Sequence, residues 1–178
     1  MKQVVEGKET AFRQLYELFS DKVYNTAISY VQNEQDAEEI TQDVFVTIFR
    51  KAATFKGDSA AGTWIYRITI NSSLNFIKKK KRSSLFYFGK QKLDQVDFEH
   101  PGILLENKEE AKVLFQVIQQ LPEQQKTAFI LSFIEQLPRQ EVADIMETSL
   151  KAVESLLQRA KANLRKKLEK RYPERRKK

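Results

Sequence analysis

The sequence predicts an all-α protein of two small helical domains joined by a flexible linker, the second domain a helix-turn-helix. Three observations predict it. Only 5 Gly and 4 Pro punctuate the 178 residues, too few turn signals for a many-stranded fold. Apolar residues recur at three- and four-residue spacing through most of the chain. Between Ser83 and about Glu106 that periodicity lapses, and Gly89, Pro101 and Gly102 fall in the gap. The spacing therefore predicts a domain over residues 1–82, a linker over 83–106 and a second domain over 107–178.

The first helix is expected over residues 10–31, with Thr10 as its cap and Phe12, Tyr16, Phe19, Val23, Ala27 and Tyr30 on one face. Ser20-Asp21 is a point where it can break. A second helix is expected from Asp36 to Ala53, with Ala37, Ile40, Val44, Ile48 and Ala52 as its inner stripe. Its outer face carries Glu38, Glu39, Gln42, Asp43, Thr47 and Arg50. That face is acidic in a basic protein, so it repels DNA and suits a basic protein surface. Phe55-Lys56-Gly57-Asp58-Ser59 reads as a short loop, with Asp58 or Ser59 capping the next helix. The stretch from Thr63 to Asn71 has strand propensity, being rich in β-branched and aromatic residues. It is assigned to a helix because no partner strand is evident and because Ile65, Ile68, Ser72 and Phe76 fit one face. Trp64, Tyr66, Arg67 and Asn71 are then expected to be partly exposed. They lead into five consecutive cations, Lys78 to Arg82. Aromatics beside such cations suit stacked, unpaired bases and a phosphate backbone; singly, Trp64 also suits a core and the lysines a solvated helix end.

In the linker, Leu85 to Phe88 is apolar enough to dock, and His100 has no acid–base partner. A helix follows over Asn107–Gln120, and Leu121-Pro122-Glu123 opens another with Ala128, Leu131 and Ile134 inside. Pro138 suits a first helical turn, after which Val142, Ile145 and Met146 share a face. Ser149 is the expected N-cap of the last helix, whose stripe is Val153, Leu157, Ala160, Leu164 and Leu168. Lys151, Ser155, Gln158, Arg159 and Lys166 lie opposite. Two short-linked helices with a polar, basic outer face form the pattern of a helix-turn-helix that reads the major groove. The usual turn glycine is missing, with Glu147 near its place. A solvated helical hairpin gives the same pattern, so the upstream segments decide between them.

The net charge is +7 and is unevenly spread: +3 over residues 1–82, −1 over 83–108 and +5 over 109–178. Basic lobes suit a polyanion such as nucleic acid. The absence of cysteine excludes disulfides and cysteine-ligated metals, and a single His excludes a histidine-rich metal site. No signal peptide or membrane-length apolar run is evident, so a cytoplasmic protein without membrane insertion is expected. No carboxylate cluster with metal-ligand spacing, phosphate-cradling glycine loop or nucleophile–His pair supports an enzyme, and no metal or cofactor is expected.

Taken in order, three early segments closely resemble the second conserved region of extracytoplasmic-function sigma factors. They are Asp36-Ala-Glu-Glu-Ile-Thr-Gln-Asp-Val-Phe45, Phe55-Lys-Gly-Asp-Ser59, and Thr63-Trp-Ile-Tyr-Arg-Ile68 with Asn71. Leu121-Pro-Glu-Gln-Gln125, Glu141-Val-Ala-Asp-Ile145 and Val153-Glu-Ser-Leu-Leu-Gln-Arg-Ala160 resemble their fourth. The resemblance covers residues 10–168.

It implies an initiation subunit of bacterial RNA polymerase, without catalytic activity, that binds the core enzyme and promoter DNA as duplex and as melted strand. Glu38, Glu39, Gln42, Asp43, Val46 and Arg50 are the implied contacts to core polymerase. Phe55, Lys56, Gly57, Asp58, Ser59, Trp64, Tyr66, Arg67, Asn71, Lys78 and Lys79 are those implied for the opened minus-ten element, where a base is flipped. Lys151, Glu154, Ser155, Gln158 and Arg159 are those for the minus-thirty-five element, although Glu154 departs from the Lys or Arg frequent at its position. The family's linker threads toward the polymerase active site, and the acids of residues 94–99 suit mimicry of nucleic acid there. The family commonly uses an anti-sigma factor, so that partner is expected too. The alternative is a stand-alone helix-turn-helix regulator of duplex DNA, which would have no need of the Asp36–Arg82 block.

Overall fold

A computed structural model describes residues 1–86 and 108–173, and divides the chain into two compact units, Met1–Phe98 and Glu99–Lys178. Among the described residues the regular structure is entirely helical. The first unit holds α1 (Lys2–Val5), α2 (Glu9–Val31), α3 (Glu34–Lys51), a 3₁₀ turn (Ala52–Thr54) and α4 (Ala61–Phe86). The second holds α5 (Lys108–Gln119), α6 (Glu123–Phe129), a π turn (Ile130–Ile134), α7 (Arg139–Ile145) and α8 (Leu150–Arg171). The acids of residues 94–99, His100 and most of the segment read as linker lie outside the described residues. Helix α4 itself continues past Arg82 to Phe86.

In the first unit α2, α3 and α4 pack on one another, and α1 lies against α2 and the 3₁₀ turn. The predicted stripe of α3 is buried at all five positions, from Ala37 to Ala52. Asn33 caps this helix, its Oδ1 accepting from the Asp36 N–H at 2.8 Å. The helix thus begins at Glu34, ahead of the expected Asp36. Helix α2 runs unbroken through Ser20-Asp21. Its cap position is Lys8, and Thr10 sits inside the first turn. Its buried residues include Leu15, Val23, Ala27, Ile28 and Tyr30, whereas Tyr16, expected inside, is 47% exposed.

The β-branched stretch from Thr63 is helical, and its first turn closes with Trp64 N–H donating to the Ala60 carbonyl. The cap position is therefore Ala60, rather than Asp58 or Ser59. The buried face is Thr63, Ile65, Tyr66, Thr69, Ile70 and Ser73. This corrects the expected face, since Ile68, Ser72 and Phe76 are only half-buried. Two hydroxyls make the observed face tolerable in a core. Thr69 Oγ1 donates to the Ile65 carbonyl at 2.9 Å, and Ser73 Oγ to the Thr69 carbonyl at 2.8 Å. Both are satisfied within the helix and need no water.

In the second unit α8 is packed by α5, α6 and α7. Val153, Leu156, Leu157, Ala160 and Leu164 of α8 are buried. Leu156 extends the predicted stripe, and Leu168 at its far end is only half-buried. Ser149 Oγ accepts from the Ala152 N–H at 3.2 Å, as its place before the helix predicts. Between α7 and α8 Glu147 takes φ +52°, the left-handed conformation for which turns favour glycine. The π turn closes with Glu135 N–H on the Ile130 carbonyl at 3.0 Å. At this turn Ile130 and Leu131 are buried, whereas Phe133 is 40% exposed.

Candidate functional site

Three surfaces carry the predicted residues. The first is the outer face of α3, where Glu38, Glu39, Gln42, Asp43, Val46 and Arg50 are all exposed. The apolar stripe behind them fixes which side of the helix faces outward. Beside this face lies an aromatic patch that spacing alone did not flag. Phe49 is 57% exposed and packs edge-on against Phe12 of α2, with ring centres 5.5 Å apart. Tyr16 lies against Phe45 at 4.6 Å. The signal for Phe49 was an aromatic outside the predicted stripe, one turn beyond Phe45. At the other end of α3, Asp36 accepts from Lys80 of α4 at 2.6 Å. This pair joins the start of α3 to the cationic end of α4.

The second surface is the loop of residues 55–59 with α4. Lys56, Gly57 and Asp58 are exposed, and Gly57 turns the chain at φ +80°. Phe55 is half-buried against Trp64, ring centres 5.4 Å apart, which anchors the loop on the helix. Trp64, Arg67, Asn71 and Lys78 recur at helical spacing and share a side of α4. Asn71, Lys78 and Lys79 are exposed, whereas Trp64 and Arg67 are half-buried. Asn75 is exposed one turn beyond Asn71 and extends this row, a position its spacing alone would reveal. Tyr66 does not join it. It is only 5% exposed, because two residues beyond Trp64 the helix has turned roughly 200°, onto the side facing the core. Its expected exposure is thus corrected.

The third surface is the first half of α8. Lys151, Glu154, Ser155, Gln158 and Arg159 are all exposed on one side of it. Arg159 Nε donates to the Ser155 carbonyl at 3.2 Å, so its guanidinium lies back along the helix. Glu154 pairs with Arg139 of α7 at 3.6 Å. Farther along, Asn163 Nδ2 donates to Gln125 Oε1 of α6 at 2.8 Å and holds α8 on its support. Among the described residues no group of three or more His, Cys, Asp or Glu is arranged to hold a metal ion. Nor is any described helix long and apolar enough to cross a membrane.

Comparison with known proteins matches the two units separately. The sigma-70 region 2 family matches residues 15–83, and the sigma-70, region 4 family matches residues 112–164. The RNA polymerase sigma-H factor of Pseudomonas aeruginosa is 30% identical over 95% of this chain and 92% of its own length. The ECF RNA polymerase sigma factor SigW of Bacillus subtilis is 28% identical, over 94% of each chain. Among solved structures, CnrH in complex with the cytosolic domain of CnrY shares the fold with a TM-score of 0.68 at 22% identity, over 94% of each chain. The sigma factor RpoE of Bartonella quintana, in complex with the anti-sigma factor NepR, does so with a TM-score of 0.67 at 20% identity, over 89% of this chain and 97% of that one.

Proposed function

The chain belongs to the extracytoplasmic-function sigma factor family, and on that premise we propose which of its surfaces does which part of the work. It is an alternative sigma factor, which binds core RNA polymerase and directs initiation at promoters through both promoter elements. The observation that carries this is the presence of region 2 and region 4 in one chain, in order. A stand-alone regulator of duplex DNA has no use for the first.

The exposed acids of α3, with Val46 and Arg50, dock on a basic surface of the core enzyme. Charge complementarity there speeds encounter and sets orientation. The 55–59 loop receives a base flipped from the minus-ten element, and the Trp64–Arg67–Asn71–Lys78 row of α4 holds the melted strand. Tyr66 supports that row from the core side. The first half of α8 reads the minus-thirty-five duplex in the major groove. Residues 1–82 act in docking and opening, residues 107–178 in duplex reading, and 83–106 connect them. The protein supplies no catalysis, acts in the cytoplasm with the polymerase, and is held by an anti-sigma factor until released. The last point is supported by the complexes in which CnrH and RpoE were solved.

The test is reconstitution. Full-length chain is expected to co-elute with purified core polymerase and to start transcription at discrete sites on a genomic library. A chain that binds duplex DNA but neither joins core nor starts transcription refutes the reading in favour of the stand-alone regulator.

A further inference from the structure

We propose that Glu154 is a specificity residue that reads a cytosine in the upstream element, and that Arg139 is the positioning residue that lets it do so. This rests on the sigma factor reading and concerns the same duplex-reading face. Of the five exposed side chains there, Glu154 alone can only accept hydrogen bonds when ionised. A carboxylate brought toward a phosphate backbone is repelled unless a cation accompanies it. Arg139 supplies that cation, with Nη1 at 3.6 Å from Glu154 Oε1 and the two side chains 56% and 51% exposed. A pair this open to water is weak and exchangeable.

The placement of the pair gives the exchange a direction. Arg139 begins α7, the first helix of the motif, which in such motifs crosses the DNA backbone. Glu154 lies near the start of α8, the helix whose N-terminal residues meet base edges. A guanidinium has five N–H donors, enough to bond a phosphate and still hold one carboxylate oxygen. The other oxygen is then aimed into the groove with its charge balanced. Guanine presents N7 and O6 there, and thymine O4; all are acceptors and repel a carboxylate. Adenine offers its N6 amino group beside the N7 acceptor, which faces the second carboxylate oxygen. Cytosine offers its N4 amino group alone and is the best match.

The experiment uses holoenzyme formed with core polymerase and a promoter library randomised across the upstream element. Base preference at each position is read from the bound fraction at several salt concentrations. Wild type is expected to favour cytosine at one position by roughly five- to 150-fold, the range for a base-reading contact. Glu154→Ala is expected to abolish that preference while leaving the other positions unchanged. Glu154→Gln, whose amide can bond adenine N6 and N7 together, is expected to admit adenine there. Arg139→Ala is expected to weaken all sequences, to lower the slope of log affinity against log salt by about 1, and to reduce the cytosine preference at the Glu154 position alone. An unchanged preference in Glu154→Ala overturns the base-reading role, a cytosine preference intact in Arg139→Ala overturns its positioning role, and an unchanged salt slope there overturns its partnership with phosphate. If wild-type holoenzyme binds no promoter, the sigma reading falls with it; if it binds promoters and Glu154→Ala matches it throughout, only the present inference falls.

Discussion

Reversing two charges on α3 separates docking from folding. Glu39 and Asp43 stand one turn apart on the exposed face, and neither stands in a salt bridge among the described residues. In Glu39→Lys/Asp43→Lys the mutual repulsion of two acids becomes that of two cations, so the local term cancels. A lysine at 39 also lies three residues from Asp36, which is mildly favourable. Both sites are beyond the first turn, where the helix dipole acts weakly. The fold should therefore change by less than about 0.5 kcal/mol, as for surface substitutions generally. Binding is different. An ion pair at 4 Å gains about 1 kcal/mol even at the dielectric constant of water, and reversal turns that gain into a comparable cost. Two reversals should cost about 2–4 kcal/mol, a loss of affinity on the order of 30- to 1,000-fold. The assay is fluorescence anisotropy of labelled full-length chain with core polymerase at two ionic strengths, alongside thermal unfolding. The gap between variant and wild type should narrow at high salt as the charges are screened. A folded double variant within about threefold of wild-type affinity would place these side chains no deeper than a weak surface pair and refute the docking assignment.

Four further outcomes are expected. Tyr66→Ala should cost about 3–5 kcal/mol in denaturant unfolding, as for a buried aromatic, and Trp64→Ala distinctly less; equal, small costs would return Tyr66 to the surface. Asn71→Ala should leave upstream duplex binding near normal but reduce promoter opening roughly two- to tenfold, the worth of one hydrogen bond. Permanganate reactivity of unpaired thymines with core present measures this, and wild-type opening would remove Asn71 from the site. Glu147→Gly should raise stability by up to about 1 kcal/mol by relieving a left-handed residue with a side chain, and a lower melting temperature would contradict that account of the turn. Tyr24 has its pKa raised by burial, and secondarily by the charges of Glu34 and Glu38. Its neutral form is the one the fold prefers, so its contribution is intact below pH of about 10 and is lost as pH rises toward the folded-state value. Tyr24→Phe should flatten that decline in a pH series of unfolding midpoints, and an unchanged decline would exclude Tyr24 as its source.

Helix α3 was legible in the sequence because its buried residues are all apolar but one, Thr41, so the 3.6-residue pattern stands out. Helix α4 was legible as a helix but not in its rotation. Thr63, Thr69 and Ser73 form half of its buried face, and small hydroxyl residues look polar to any reading by hydropathy. Anchoring the face on Ile68 instead turned Tyr66 outward. The π turn left no trace in the sequence, since a single hydrogen bond that spans one residue more has no compositional signature. The exposed side of α8 was legible because Ser149 and the apolar stripe fix both the start and the rotation of the helix. Tyr16 went astray for the opposite reason, since periodicity assumes that aromatics are buried and this one is 47% exposed; Phe49, outside the predicted stripe, was passed over altogether.

The division into two units bears on how such a chain discriminates among promoters. Neither set of contacts needs to be strong alone. When one unit is engaged, the connecting segment turns binding of the other into an intramolecular step, and modest affinities multiply. That gain disappears if the spacing between the two elements does not suit the connection, so spacing becomes part of the recognised sequence without any residue reading it. Within the first unit the coupling is of another kind. The acids of α3 and the α4 row proposed to hold the melted strand belong to helices that share one core, with Asp36–Lys80 pairing the two helices at the surface. A polymerase docked on α3 as proposed would also fix the orientation of α4. The face proposed for opening would then be presented to the promoter preorganised, and the cost of orienting it would not be repeated at the melting step.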